Sequence, residues 1–410
     1  MPEASFTSLA VVMGVAFLAP LVLGVLPRLR VPAVVLEIVL GIIVGPQVLG
    51  WASVDEPVQI VALIGLAFLL FLAGLELDFD QLRGKLLKVA AVGFGISLVL
   101  AVVAGFALDA VGFVRSPLLA AVVLTATSLG LVIPVLKEGG HSSTRFGQLV
   151  IAGASIGDFA AVLLLSLLFS RDSTDTGTKV VLLVGFVLAV ALIIFTLSRH
   201  RRSMPISKLL TKLQDTTAQI RVRGSMLFLL LLVVLAAQFG LETILGAFIA
   251  GAIVSVLDRD GVRTHPQFRL KLEAIGYGFL IPVFFVTSGL RFDLNALLDA
   301  PSTLLRVPVF LVALLVVRGI PAFVYRPLVG SKRAVAAGLL QATSLPFIVA
   351  AMDIGLSIGA VTPATAAAFI AAGLLSALVF PIAALGILRS AQPDDELMSV
   401  TTRQMGAVPT

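Results

Sequence analysis

The sequence predicts an all-α, polytopic membrane protein of about thirteen spanning helices, and three observations carry that prediction. Hydrophobic residues make up 59% of the 410 residues and charged ones only 13%, with a mean hydropathy of +1.11. Apolar runs near the roughly 20 residues of a spanning helix recur throughout. Backbone groups in lipid must pair internally, so such runs read as a helical bundle. The third observation is the placement of the basic residues, taken up below.

The expected spans lie at about 6–26, 31–49, 58–77, 87–109, 117–136, 147–169, 179–198, 222–239, 241–257, 271–289, 302–325, 334–353 and 361–388. Phe239-Gly240 is the turn that separates the eighth from the ninth. The first run lacks a basic leader and a small-residue cleavage site, so it reads as a retained helix. With the N-terminus outside, the cytoplasmic segments hold 23 of the 29 Lys and Arg. The outer loops hold Arg115, Arg171, Lys179 and Arg291, and Arg306 and Arg318 fall inside a span. This asymmetry orients the chain, with the C-terminus in the cytoplasm of a cell expected to carry the protein in its inner or plasma membrane. The same distribution makes the basic loops topology signals in contact with the lipid bilayer, and nucleic acid is not an expected partner. The long connection 199–224 marks the middle, with an amphipathic surface helix expected at 206–213.

Several chemistries are excluded early. The absence of cysteine removes disulfides, thiol catalysis and thiolate metal sites. His141, His200 and His265 fall in polar connections, so a buried histidine metal cluster is not expected. An intramembrane hydrolase needs paired acids, a Ser-His or Ser-Lys dyad or metal ligands within the spans. The chain reads as no enzyme, with no cofactor.

What the spans do hold is Asp158, the only charge in the run Gln148–Phe169 and roughly halfway along it. A carboxylate at that depth costs at least about 2.5–3.5 kcal/mol and marks a functional site. Ser155 lies one turn earlier on the same helix.

An internal repeat accompanies it. Ala-Thr-Ser-Leu occurs at 126–129, in the fifth span, and again at 342–345, in the twelfth. Gly130 and Pro346 follow at the same offset. Under the topology above, the two copies run in opposite directions. The halves, about 6–170 and 222–388, are then an inverted repeat joined by a linker helix at 179–198, with 391–410 a polar cytoplasmic tail. Inverted repeats with interrupted helices at matching places point to a transporter site. Gly weakens a helix and Pro removes a donor, so both helices should unwind and cross. Thr127, Ser128, Thr343 and Ser344 would offer hydroxyls or carbonyls at the crossing beside Asp158.

Four further stretches complete a resemblance. They are Val34-Val-Leu-Glu-Ile-Val-Leu-Gly-Ile-Ile-Val-Gly-Pro46, Leu70-Phe-Leu-Ala-Gly-Leu-Glu-Leu-Asp78, Leu241-Glu-Thr-Ile-Leu-Gly-Ala-Phe-Ile-Ala-Gly251 and Phe284-Phe-Val-Thr-Ser-Gly-Leu-Arg-Phe-Asp293. With Asp158 they resemble, in order, the monovalent cation:proton antiporter superfamily, which includes sodium/proton exchangers and Kef-type transporters. The resemblance covers nearly all of the first 390 residues. It implies an NhaA-like fold with two crossed broken helices, a homodimer, and alternating access in which Na+ or K+ and H+ compete for Asp158. It implies a core of spans 4–6 and 11–13 moving against a scaffold. No Kef-type C-terminal regulatory domain is expected.

Gly157 departs from the family, which commonly has Asp, Asn or Gln before the essential acid. A residue without a side chain cannot ligate or carry charge, so electroneutral exchange is expected. Arg318 matches the family's basic residue before the second broken helix. As a fixed positive charge it is expected to compensate or gate, pairing with an acid such as Glu76 or else snorkelling to the interface. Glu76, near the inner end of the third span, is a second candidate for binding or gating, or else an interfacial charge paired with a cytoplasmic Lys or Arg. Glu37, on a small-residue face, is expected at a dimer-side or helix-pairing contact, with direct ion binding the alternative, and Glu242 is expected to be solvated near the outer surface. The alternative is a sodium-coupled organic-solute symporter of similar inverted-repeat architecture, whose cavity would need added polar groups for its substrate.

Overall fold

Proline opens five of the helices and interrupts others, and glycine sets how closely they meet. The computed structural model describes residues 6–25, 31–76, 84–169, 177, 181–186, 188–190, 192, 219–257, 267–299 and 301–390. In chain order the helices are α1 (Thr7–Val25), α2 (Ala33–Val44), α3 (Glu56–Leu75), α4 (Gly84–Ala110), α5 (Pro117–Thr125), α6 (Leu129–Glu138) and α7 (Arg145–Phe169). The second half holds α8 (Ile220–Gln238), α9 (Thr243–Leu257), α10 (Gln267–Leu290), α11 (Pro301–Val329), α12 (Ser331–Gln341), α13 (Pro346–Ser357) and α14 (Pro363–Arg389). Among the described residues, ten helices are long and apolar enough to cross a membrane when α5–α6 and α12–α13 each count as one. Three more apolar helices, Ala33–Val44, Val181–Val190 and Thr243–Val256, are shorter; they fall on the second, seventh and ninth expected spans. The surface helix expected at 206–213 and the tail 391–410 lie outside the described residues.

Large apolar side chains face outward, as a lipid-facing surface requires: Phe17 is 67% exposed, Val99 64% and Leu227 60%. Hydrophobicity therefore does not drive one helix onto another, and close backbone contact does. Helices α3 and α9 meet through Gly74, whose missing Cβ leaves room for the Phe248 carbonyl, and Gly251, which does the same for that of Phe71. Between α8 and α9 the chain turns at Phe239-Gly240, where Gly240 takes the left-handed conformation (φ 66°) that only glycine adopts at low cost.

The helices fall into two sets by packing. Helices α1, α2, α3, α8, α9 and α10 pack mainly among themselves, and α4, α5, α7, α11, α12 and α14 form the other set. The broken helices α5–α6 and α12–α13 belong to the second set and cross at its centre.

Two π-helical turns sit in otherwise α-helical segments, at Gly276–Leu280 in α10 and Leu315–Gly319 in α11. Each is followed by proline, Pro282 and Pro321. A proline ring displaces the carbonyl four residues back and supplies no donor to it, which widens the helix locally. The carbonyl freed by Pro321 is that of Val317, and it accepts the Ser97 hydroxyl at 2.7 Å.

Candidate ion site

Both repeat motifs are unwound. Helix α5 stops at Thr125, Ala126 and Ser128 are extended, and α6 starts at Leu129. Helix α12 stops at Gln341 and α13 starts at Pro346. Pro346 thus opens its half-helix, as expected, whereas Gly130 sits inside the first turn of α6, just past the break. The two breaks are hydrogen-bonded together: the Ser128 N–H donates to the Thr343 carbonyl at 2.9 Å, and the Thr127 hydroxyl to the Gln341 carbonyl at 2.7 Å.

Asp158 lies at this crossing. Ser128, the residue before α6, supplies no side-chain cap, so the first amide of α6 would be an orphan donor. Asp158 Oδ2, reaching across from α7, accepts the Leu129 N–H at 3.2 Å. A carboxylate at a helix N-terminus also meets the positive end of the helix dipole. The other oxygen, Oδ1, is shielded from solvent and has no hydrogen-bond partner among the described residues. An acid oxygen left unpaired in an apolar setting invites a cation or a proton.

That carboxyl lines a cavity of about 80 Å³ together with Glu76, Thr127, Ser128, Gly130 and Tyr277. Apolar residues, among them Phe248, Phe285, Pro346 and Phe347, complete the wall. A second, larger space of about 930 Å³ shares Val34, Gly130 and Leu131 with it and widens past Pro134 and Pro381 toward His141 and Arg389. It forms a vestibule to the Asp158 cavity.

Arg318 stands behind the crossing and is 1% exposed. Its guanidinium donates to the Thr127 hydroxyl from Nε (2.9 Å) and Nη2 (2.5 Å), to the Gly153 carbonyl (3.2 Å) and the Gln341 carbonyl (3.4 Å), and to Ser97 (3.4 Å). The Phe94 ring lies 5.8 Å from it. Arg318 therefore makes no ion pair with Glu76; its donors are spent on neutral oxygens of the crossing, while Glu76 lies on the cavity wall. Full burial also removes the snorkelling alternative.

The remaining expected residues divide. Thr127 and Ser128 reach the cavity. Ser155 is buried on α7 but is not among the cavity-lining residues. Thr343 turns its hydroxyl back onto the Leu339 carbonyl at 3.1 Å. Ser344 is fully buried, and its N–H donates to Ser376 Oγ on α14 at 3.2 Å. Glu242 is only 8% exposed, so it is not a solvated surface charge; its amide donates to the buried Ser166 hydroxyl of α7 at 3.0 Å. Glu37 is buried in α2.

Three residues at the site had no place in the sequence reading. Tyr277 is carried into the cavity by the first π turn. Tyr325 and Gln341 form a buried pair at 2.8 Å behind Arg318. One signal was available: the chain has two tyrosines against 26 phenylalanines, and both stand here.

Fold and site together define a multi-pass membrane transporter with a buried acid, Asp158, at two crossed broken helices. The chain belongs to the family "Sodium/hydrogen exchanger, transmembrane", whose model matches residues 13–389. YjbQ of Bacillus subtilis (strain 168), which bears a provisional name as a Na+/H+ antiporter, is 30% identical over 416 residues, covering 98% of this chain. This chain spans 66% of that relative's length. The Na+/H+-K+ antiporter GerN of Bacillus cereus is 27% identical over 272 residues, 66% of this chain and 68% of its own. The solved structure of the sodium proton antiporter MjNhaP1 from Methanocaldococcus jannaschii superposes with a TM-score of 0.59 at 18% identity, covering 92% of this chain and 96% of that one. The fold is thus the NhaA-like one that the sequence predicts.

Proposed function

We propose that this chain exchanges Na+ or K+ for H+ across a membrane by alternating access around Asp158. The observation that carries the reading is the unpartnered Asp158 Oδ1 on the wall of a small cavity that adjoins a wide vestibule. A carboxylate there holds a cation or a proton, and each excludes the other. The names of YjbQ and GerN favour the same pair of exchanged species, with GerN adding K+.

Ion ligands would be Asp158 Oδ1, Thr127 or Ser128 and Glu76, which line the same cavity. Arg318 supplies a fixed positive charge behind them. With no ionisable side chain at Gly157, one cation exchanges for one proton and no net charge moves. The set holding α4–α7 and α11–α14 would move against the other set, which would also form a homodimer. The vestibule, rimmed by His141 and Arg389, would open to the cytoplasm in this conformation. The short helices α2 and α9 and the segment 181–190 would complete thirteen crossings, with the repeats at 6–170 and 222–388.

Size weighs against the organic-solute symporter. Pockets for drug-sized organic ligands run to about 300–1,000 Å³, whereas the cavity at the acid is about 80 Å³, room for an ion with a few waters.

The test is transport in liposomes carrying a trapped pH dye, with Na+, K+ or Li+ added outside. A cation-driven pH change that is lost in Asp158→Asn supports antiport and names the ion. A correctly folded wild type that gives no pH change with any cation would overturn the reading.

A further inference from the structure

We infer that Arg291 and Asp353 form a latch that closes the face opposite the vestibule and must open for the site to be reached from that side. Arg291 Nη1 donates to Asp353 Oδ1 at 2.7 Å. The two residues come from the two different helix sets. Arg291 follows α10, which lies locked against α2: Gly41 and Gly289 face each other so closely that a Cβ on either would strike the other helix's backbone. The segment after α10 is tied to the α2 side through Gln47, while its short helix also packs on α11 and α14. Asp293 Oδ1 caps the short helix Leu294–Leu298 through the Ala296 N–H at 2.8 Å and accepts the Gln47 amide at 3.0 Å. Asp353 instead rides on α13, the second half of a broken helix.

Position gives the pair its meaning. Phe285 and Phe347 line the Asp158 cavity; Phe285 lies six residues before Arg291, the residue that caps the end of α10, and Phe347 six residues before Asp353 on α13. Six residues of helix advance about 9 Å. The pair therefore stands one such step beyond the ion cavity on both bodies at once. Helix α14 fixes the direction. Its first turns, Pro363–Ile370, line the 40 Å³ gap beside the pair, whereas its last turns, Ala377–Arg389, line the vestibule. The latch and the vestibule are at opposite ends of that helix.

The chemistry suits a latch. The two side chains are 29% and 31% exposed, so water can take over either charge when the pair separates. A half-exposed pair is weak, and a weak link that breaks and reforms biases two states without freezing one. A movement of one helix set against the other would pull on this pair, because it links a residue at the end of α10 to one on α13.

The inference rests on the alternating-access reading, and its test reads opening rather than transport, so the two fail separately. The chain has no cysteine, so Ser288→Cys places a unique thiol on the wall of the gap. In nanodiscs, a water-soluble maleimide should label it about fivefold faster once Arg291→Gln or Asp353→Asn is added. The reversed pair, Arg291→Asp with Asp353→Arg, should return the rate toward that of the parent. Arg291→Lys, which keeps the charge, should stay near the parent even if the reversed pair does not fold. Unchanged labelling in both neutral variants overturns the latch. So does a rise that Arg291→Lys shares in full, because that would report loosened packing rather than a lost ion pair.

Discussion

The guanidinium of Arg318 occupies the space that a side chain on residue 157 would need. A Cβ built on Gly157 would lie 2.8 Å from Arg318 Nη2, 3.3 Å from its Cζ and 3.3 Å from the Thr125 carbonyl. The absent side chain beside the acid is therefore a socket for a charge brought from another helix. Gly153, one turn earlier, forms the rest of the socket, since a Cβ there would strike the Gln341 amide and the Tyr325 hydroxyl.

Enlarging the socket residue should expel the arginine. Gly157→Ala is expected to cost about 1–3 kcal/mol by overpacking, read as a lower unfolding temperature of the purified protein. Gly157→Asp should not create a charge-moving exchanger, because the displaced Arg318 would pair with the new acid. Transport under an imposed voltage at zero pH gradient checks this.

Removing the arginine's fork should do more than removing its charge would suggest. Arg318→Lys keeps the charge but cannot reproduce bonds to Thr127, Gly153, Gln341 and Ser97 together. It should lower stability by about 1–3 kcal/mol, the cost of buried acceptors left unpaired. Arg318→Gln should fall at least as far. Thermal unfolding in detergent, ranked across wild type, Lys and Gln, is the measurement.

The proposed competition at one carboxylate fixes the sign of the pH dependence. Lowering the pH protonates Asp158 and excludes the cation, so the apparent KM for the cation should rise as pH falls while the maximal rate holds. In the range where the acid is mostly protonated the rise should approach about tenfold per pH unit. A pH series of initial rates at saturating and subsaturating cation tests it. A falling maximal rate at constant KM would contradict a shared site.

Tyr277→Phe isolates the hydroxyl that the π turn brings to the cavity wall. Loss of one neutral hydrogen bond to the ion's water or to the acid is worth about 0.5–1.5 kcal/mol. The apparent KM should therefore rise roughly two- to tenfold with little change in unfolding temperature.

The repeat supplies its own control. Ser376 holds the second break from α14 as Asp158 holds the first from α7, but one position earlier in the repeat: it accepts the backbone N–H of Ser344, the match of Ser128, whereas Asp158 accepts that of Leu129. Ser376 Oγ also donates to the Ser344 carbonyl at 3.0 Å. Ser376→Ala should lower stability by about 1–3 kcal/mol and leave the apparent KM unchanged. A shifted KM would mean that the second break also touches the ion.

These contrasts show what was legible in the sequence. Asp158 was visible because one charge in an apolar run has few explanations. The two breaks were visible because the same four residues recur with Gly or Pro beyond them. The partners of Arg318 were not, since Thr127 lies 191 residues away and Ser97 221. No periodicity records contacts between remote helices. Tyr277 was missed because the π turn at Gly276–Leu280 that accompanies its place on the cavity wall leaves no mark in the apolar pattern of the run. Glu242 was misread as solvated because its place near a span's end hid the cover that α7 provides through Ser166.

Asp158 is the end-stop of a rod as well as the ion ligand of the proposed exchange. Helix α6 begins on its Oδ2 and runs ten residues out along the vestibule wall, past Pro134 and Val135. Under the proposed exchange, whatever neutralises the carboxyl, cation or proton, would also weaken the anchor of that rod's inner tip. An ionised, empty site would hold the rod by a full negative charge, and a loaded one by much less. Occupancy of the site would thereby reach the wall of the adjoining vestibule along a single half-helix.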